Sequence, residues 1–355
     1  MSSNLKLIDM FSGAGCASLG FQKSGFKIVA ALEINPARCD VYEKNFHFRP
    51  IEKNVMDVDG NEILQKAKLR KGSKFCVVGC PPCQSFSKLS DTRGINAQYD
   101  PRSKFVKKFA SLIVEMMPMA VVFENVPWMI KGPGKKFFDY YVEKLENAGY
   151  YTVYDIVNAA NLGIPQNRER VVAISIRKKF LNKNKIEQLH KFHKIKTNKV
   201  KTVRDTIADL KPLRSGQKDP DDSLHFSSLH GSKVLEMIKH VPKNGGNRRD
   251  MPRRLWLDCH KKLKHGADTV YGRMWWDRPS PTMTCRCTTP ACGRFIHPAQ
   301  NRGITLREAA RLQTIPDSFH FVNTSVVSIQ SMIGDGVPVN LAKHIGKQLR
   351  SILAS

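Results

Sequence analysis

The sequence predicts an α/β protein: an open sheet of parallel strands, accompanied by a second, smaller and more irregular domain. Three observations carry this expectation. Residues 5 to 35 read as one βαβ unit, apolar runs alternate with helical stretches as far as residue 177, and the composition changes abruptly after Arg177. In the first unit "LKLIDMF" is a strand, "SGAG" a turn, "CASLGFQKSG" a helix and "KIVAALEI" the second strand. The runs "KFCVVG", "AVVFENV" and "RVVAISI" add strands apolar on both faces, as parallel strands between helical layers must be. The covering helices are expected in "SKFVKKFASLIVEMM" and "FFDYYVEKLENAG". From Lys178 the chain is dense in lysine, then rich in Gly, Pro and Arg through "KNGGNRRDMPRRLW". Order returns in "LREAARLQ" and in a last helix, "PVNLAKHIGKQLRSILA". The expected division is therefore 1–178, 179–310, and a return segment 311–355 that completes the first domain.

Lys and Arg number 58 against 31 Asp and Glu, a formal charge of +27, so a polyanionic partner is the leading expectation. No secretory leader and no run of roughly 18 apolar residues is read, which predicts a soluble protein of the cytosol or nucleus. Nine cysteines without a leader predict reduced thiols rather than a disulfide framework.

Gly13 and Gly15 in "DMFSGAG" follow a strand and open a helix, where backbone N–H groups can approach a ligand. The spacing is not that of a dinucleotide fingerprint. Glu33, at the end of the second strand, is placed to accept ribose hydroxyls, and Asp57 lies near the expected end of another strand. A nucleoside cofactor without a pyrophosphate loop points towards S-adenosylmethionine. Cys80 and Cys83 in "GCPPCQSFS" admit a zinc site with Cys285, Cys287 or Cys292, a redox pair, an inert core thiol at Cys83, or a single nucleophile. The pair sits at the carboxyl end of a strand, where open α/β sheets bind ligands, and this favours the nucleophile. "VVFENVPWM" brings Glu124 and Asn125 to a matching place, and "IPQNRERVVAI" brings Gln166, Arg168 and Arg170.

At these blocks the sequence resembles the DNA cytosine-5 methyltransferases: "DMFSGAG", "ALEINP", "NVMDV", "GCPPCQSFS", "DPRSKF", "VVFENVPWM", "QNRERV", "RPSPTMT", "LREAARLQTIPDSF" and "IGDGVPVNLAKHI" occur in that family's order. The resemblance covers about residues 5 to 177 and 270 to 350. It implies a Rossmann-like S-adenosylmethionine-dependent methyltransferase sheet with a smaller target-recognition domain in the unmatched middle, and no metal. By residue it implies that Cys83 is the nucleophile that adds to cytosine carbon 6, that Glu124 engages N3, and that Arg168 and Arg170 steady a flipped-out base. It places Phe11, Gly13, Gly15, Glu33, Ile34, Asp57, Val58, Pro82, Phe105 and Asp335 around S-adenosylmethionine. Two positions depart from the usual pattern, Cys16 after the glycine turn and Asp335-Gly336 in the last block.

Arg248, Arg249, Arg253 and Arg254, in a Gly- and Pro-flanked stretch, are the candidate contacts to double-stranded DNA. The implied protein is a monomer on DNA, bacterial and nucleoid-associated or phage-encoded, with a restriction endonuclease as a separate companion. A tRNA methyltransferase on the same fold and a catalytically silent DNA-binding relative are the alternatives.

Overall fold

The computed structural model describes residues 5–82, 104–192, 199–262 and 269–354. They divide by contact into two units, the first comprising 1–162, 169–196 and 337–355, the second 163–168 and 197–336.

The first unit is built on strands β1 (Lys6–Met10), β2 (Lys27–Glu33), β3 (Ile51–Glu52), β4 (Phe75–Gly79), β5 (Ala120–Asn125), β6 (Tyr150–Asn158) and β7 (Glu169–Arg177). Their order in the sheet is β3-β2-β1-β4-β5-β7-β6. Strands β1 to β5 pair in parallel. Every residue of β4 and β5 is buried, which is why β4 and the first four residues of β5 read as apolar runs. Helices α1 (Cys16–Lys23), α2 (Pro36–Phe46) and α3 (Gly60–Lys66) follow β1, β2 and β3. The helices Lys104–Met116 and Lys135–Asn147 meet β5 through a cluster of Phe109, Phe123, Phe138 and Tyr141 rings.

Two expectations about the sheet are corrected. It is not parallel throughout: β7 runs antiparallel to both neighbours and slots between β5 and β6. The connection 159–168 is too short for the crossover that a parallel pair requires, so β6 and β7 pair antiparallel. β6 lies outside the strands expected from the sequence, because its half-exposed residues at the sheet edge break the apolar signal.

The unit boundaries run elsewhere than 178 and 310. The helix Lys183–His190 stays with the first unit, where Lys185 Nζ donates to Leu353 O and Tyr151 OH meets His190 Nε2 at 2.8 Å. The helices Leu306–Leu312 and Val326–Asp335 belong to the second, where Arg307 pairs with Asp222 and Arg311 with Asp209. The first unit resumes at Val337.

Among the described residues the second unit has short helices and isolated β-bridges instead of a sheet. Buried arginines answer the carbonyls that such irregular backbone leaves unpaired. Arg273 donates to the carbonyls of Ile238, Val241, His297 and Gln300, and Arg302 forms a buried two-point pair with Glu308, at 2.8 and 2.6 Å. Part of the arginine excess is therefore structural. No helix among the described residues is long and apolar enough to cross a membrane.

Candidate active site

The carboxyl ends of β1, β2 and β3 lie side by side, so the segments that follow them share one edge of the sheet. After β1 the backbone turns left-handed at Phe11 (φ 63°), Gly13 (φ 55°) and Gly15 (φ 96°) before α1 begins. The two glycines differ in surroundings. A Cβ on Gly15 would strike the Phe46 ring and lie 3.0 Å from Tyr42, whereas one on Gly13 would meet nothing within 4 Å. Gly15 is thus packed from beneath, while Gly13 leaves open space above the turn.

Glu33, the last residue of β2, fixes this turn. Gly13 N donates to Glu33 Oε2 and Asn35 N to Oε1, both at 2.9 Å, and each oxygen retains a lone pair for a hydroxyl. Ile34 beside it is 59% exposed, an apolar side chain at the mouth of the turn. Phe11 packs against Phe105 and Phe109 with centroids 6.3 and 6.1 Å apart. After β3, Asp57 ends a short turn capped by Asn54 and is exposed, while Val58 is buried. An open glycine turn, a carboxylate held by two N–H groups, and exposed apolar and acidic side chains fit S-adenosylmethionine.

Beneath the turn lies a carboxyl group that the sequence reading did not single out. Asp9, in β1, is buried, with Oδ2 accepting from Ser18 Oγ at 2.6 Å and Oδ1 without a partner. Ser18 Oγ also meets Tyr42 OH at 2.8 Å, and Tyr42 stacks on Phe46, the ring beneath Gly15. Burial, with a smaller push from Glu33, raises the Asp9 pKa from 3.8 to about 7 against the opposing pull of Ser18. The folded protein therefore keeps this proton up to about pH 7, whereas the unfolded chain loses it near pH 4. Stability should fall as pH rises through that window, by on the order of 4 kcal/mol in total. Other groups titrate there too; burial holds His297 down at about 4, which works in the opposite sense. The comparison to make is urea unfolding of Asp9→Asn and wild type at pH 5 and pH 8. The variant is expected to gain relative stability at the higher pH, and a pH-independent difference would refute the buried-proton account.

Cys83 lies outside the described residues. The segment leading to it is described: Pro81 is buried, Pro82 half-buried, and Asn125 Nδ2 donates to Pro81 O at 3.1 Å. Asn125 closes β5 and thereby ties the Pro81-Pro82 segment to the neighbouring strand. Glu124, one residue earlier, is 7% exposed, and Arg170 on β7 brings Nε to 3.0 Å from Oε1. The N–H is not aimed at that oxygen, so the contact is an ion pair without an aligned hydrogen bond. Register explains the meeting, since Glu124 pairs with Val172 and Arg170 lies two residues along β7 on the same face.

Arg168 is placed differently. It belongs to the second unit, is 2% exposed, and donates to the carbonyls of Met283, Gly334 and Gly336. Its guanidinium braces backbone, and only Arg170 of the two meets Glu124. Gln166 acts similarly, donating to Leu312 O and Gln313 Oε1 and accepting from Met283 N. Asp335 also lies in the second unit, at the end of the helix Val326–Asp335, where its carboxylate accepts from Cys285 Sγ and Ser331 Oγ, both at 2.9 Å. Among the described residues no group of three or more His, Cys, Asp and Glu side chains is gathered as a metal site requires.

Of the four candidate DNA contacts, Arg248 is corrected: it is 1% exposed, its guanidinium 5.2 Å from the Trp256 centroid. It packs the base of the loop instead of presenting charge. Arg249, Arg253 and Arg254 are exposed on the two single turns Arg248–Asp250 and Arg253–Leu255. The first turn is closed by reciprocal caps between Asn247 and Asp250.

Comparison with known proteins places these features in a family. The profile of C-5 cytosine-specific DNA methylases matches residues 5–351. The chain is 34% identical over 352 residues to the Type II methylase M.HgiDII of Herpetosiphon aurantiacus, covering 98% of this chain and 95% of the relative. It is 32% identical over 348 residues to the Type II methyltransferase M1.HphI of Haemophilus parahaemolyticus, covering 97% and 86%. Among solved structures, a prophage-encoded E. coli protein described as a DNA modification methyltransferase superposes with a TM-score of 0.75 at 23% identity, covering 99% of this chain and 100% of that one.

Proposed function

The chain belongs to the C-5 cytosine-specific DNA methylase family, and from that premise we propose that it methylates carbon 5 of a flipped-out cytosine within one double-stranded sequence, through a covalent bond to Cys83. The observation that carries this reading is the buried Glu124–Arg170 pair beside Asn125, which holds the segment leading into Cys83. A target base inside a duplex is out of reach of a thiol, so it must leave the stack.

Carbon 5 of cytosine is a poor nucleophile. Addition of the Cys83 thiolate to carbon 6 forms an S–C bond and shifts the ring electron pair towards carbon 5. Glu124 stabilises the accompanying charge at N3 by giving or sharing a proton, and Arg170 fixes the carboxyl that does so. S-adenosylmethionine, the family's methyl donor, would supply the electrophilic methyl group to carbon 5, its S–CH3 bond breaking with the electron pair left on a neutral thioether. Transfer of the carbon 5 proton to a water base, with cleavage of the S–C6 bond and departure of the Cys83 thiolate, then restores the aromatic ring. Gly13, Glu33, Ile34 and Asp57 hold the donor, with Phe11, Val58, Pro82 and Phe105 lining its place. The second unit reads the DNA sequence, with Arg249, Arg253 and Arg254 facing the polyanion.

The names of the Type II relatives support a modification enzyme; in this reading it acts as a monomer on DNA, its companion a separate endonuclease that cuts the same unmodified sequence. Purified protein with S-adenosylmethionine and genomic DNA, followed by bisulfite sequencing, is expected to show methylation confined to one sequence context. Methylation of tRNA with none on duplex DNA would overturn the substrate assignment.

A further inference from the structure

The stretch Trp275-Trp276-Asp277-Arg278 carries three arginine–indole pairs that end differently. Arg204 lies over Trp276, 5.3 Å from the ring centroid, and closes a two-point ion pair with Asp277 at 2.7 and 3.0 Å. That charge is neutralised. Arg278 lies over Trp275 at 4.7 Å, is exposed, and has no carboxylate partner among the described residues. Arg294 shares the same indole at 4.1 Å, but its Nη1 donates to the carbonyls of Gly245, Gly246 and Arg273, which ties it to backbone. Two guanidinium groups therefore crowd one ring, and the exposed one adds its field to a region already positive.

The platform is pre-organised. Gly245 has φ +113°, and any Cβ there would run into the Trp275 indole, so the ring lies directly on the backbone of the arginine-rich loop. Val203 N donates to Arg278 O at 3.0 Å, Arg204 N to Trp276 O at 2.9 Å, and Asn244 Oδ1 accepts from Trp276 N at 2.8 Å. With its backbone pinned and its guanidinium laid on an indole, Arg278 loses little freedom on meeting an anion. Stacking also leaves the N–H edge of the plane open to acceptors. The loop that carries Trp275 on Gly245 continues into the exposed Arg249, Arg253 and Arg254.

We propose that Arg278 is a DNA backbone contact, its guanidinium donating to a phosphodiester beside this loop. The proposal rests on the reading of the protein as a DNA methylase. Its test is equilibrium binding of the full chain to two duplexes, one with and one without the methylated sequence, across a range of salt. Arg278→Ala is expected to weaken both complexes about tenfold at low salt and to lower the slope of log K against log salt by about one. Arg278→Lys should restore the slope, because an ammonium still neutralises a phosphate. Arg278→Gln keeps the stem on Trp275 and should show the alanine result, which separates charge from packing. An unchanged slope in both neutral variants would overturn the proposal. So would a loss confined to the methylated sequence, which would make Arg278 a base reader. A wild-type chain that bound neither duplex would instead sink the methylase reading, and the two failures are distinct.

Discussion

Cys83→Ser is expected to reduce methyl transfer by at least roughly a thousandfold, the scale on which loss of a nucleophile is felt. The sharper readout is covalent. Duplex DNA with 5-fluorocytosine at the methylated position should trap a denaturant-stable complex with wild-type protein, because fluorine cannot be lost from carbon 5 as a proton. Cys83→Ser should trap none, while Cys80→Ser should trap the adduct as wild type does. Cys80 follows β4 directly and precedes the Pro81 carbonyl that Asn125 holds. If Cys83→Ser formed the adduct and Cys80→Ser did not, the nucleophile would be the earlier thiol.

The second large effect concerns Glu124. Glu124→Gln keeps shape and hydrogen-bonding capacity but removes the acid, and kcat is expected to fall about 10²- to 10⁴-fold. Arg170→Ala should act differently, since it leaves a carboxylate with 9% side-chain exposure without its cation. That change is expected to destabilise the fold by about 3 kcal/mol. Combining it with Glu124→Gln should recover part of the stability and none of the activity. Urea unfolding and single-turnover methylation on the same four proteins separate the two effects. An Arg170→Ala variant as stable as wild type would show that the pair does not hold the carboxyl.

The parts of this site legible in the sequence are those made by local pattern. A strand, a glycine turn and a helix are written in consecutive residues, so the places of Gly13, Gly15 and Glu33 at one sheet edge follow from βαβ geometry. Glu124 and Asn125 were legible for the same reason, as polar residues ending an apolar run. What the pattern could not reveal depends on partners distant in the chain. An apolar strand reads alike in either direction, so the reversal of β7 was invisible. Arg168 and Arg170 share a motif, yet one braces carbonyls of the second unit and the other faces Glu124. Arg248 sits in the same basic run as Arg249, and nothing in the spacing of that run tells which of the two is buried against Trp256. Asp335 likewise meets Cys285, 50 positions away. Asp9 was overlooked because an acid at the end of a strand resembles any polar terminus until its burial is known.

The helix Val339–Ala354 has a consequence in time. It covers α1, the helix that the glycine turn opens, and Arg350 Nη1 donates to Ser24 O across 326 positions. Gly20 and Gly346 lie where a Cβ would strike the opposite element, so the two helices meet at close range. A nascent chain on the ribosome makes the glycine turn early but cannot shield the apolar side of α1 until this late helix has emerged. The glycine turn is thus synthesised well before the helix that completes its packing, and a chain stalled between the two would carry it incomplete.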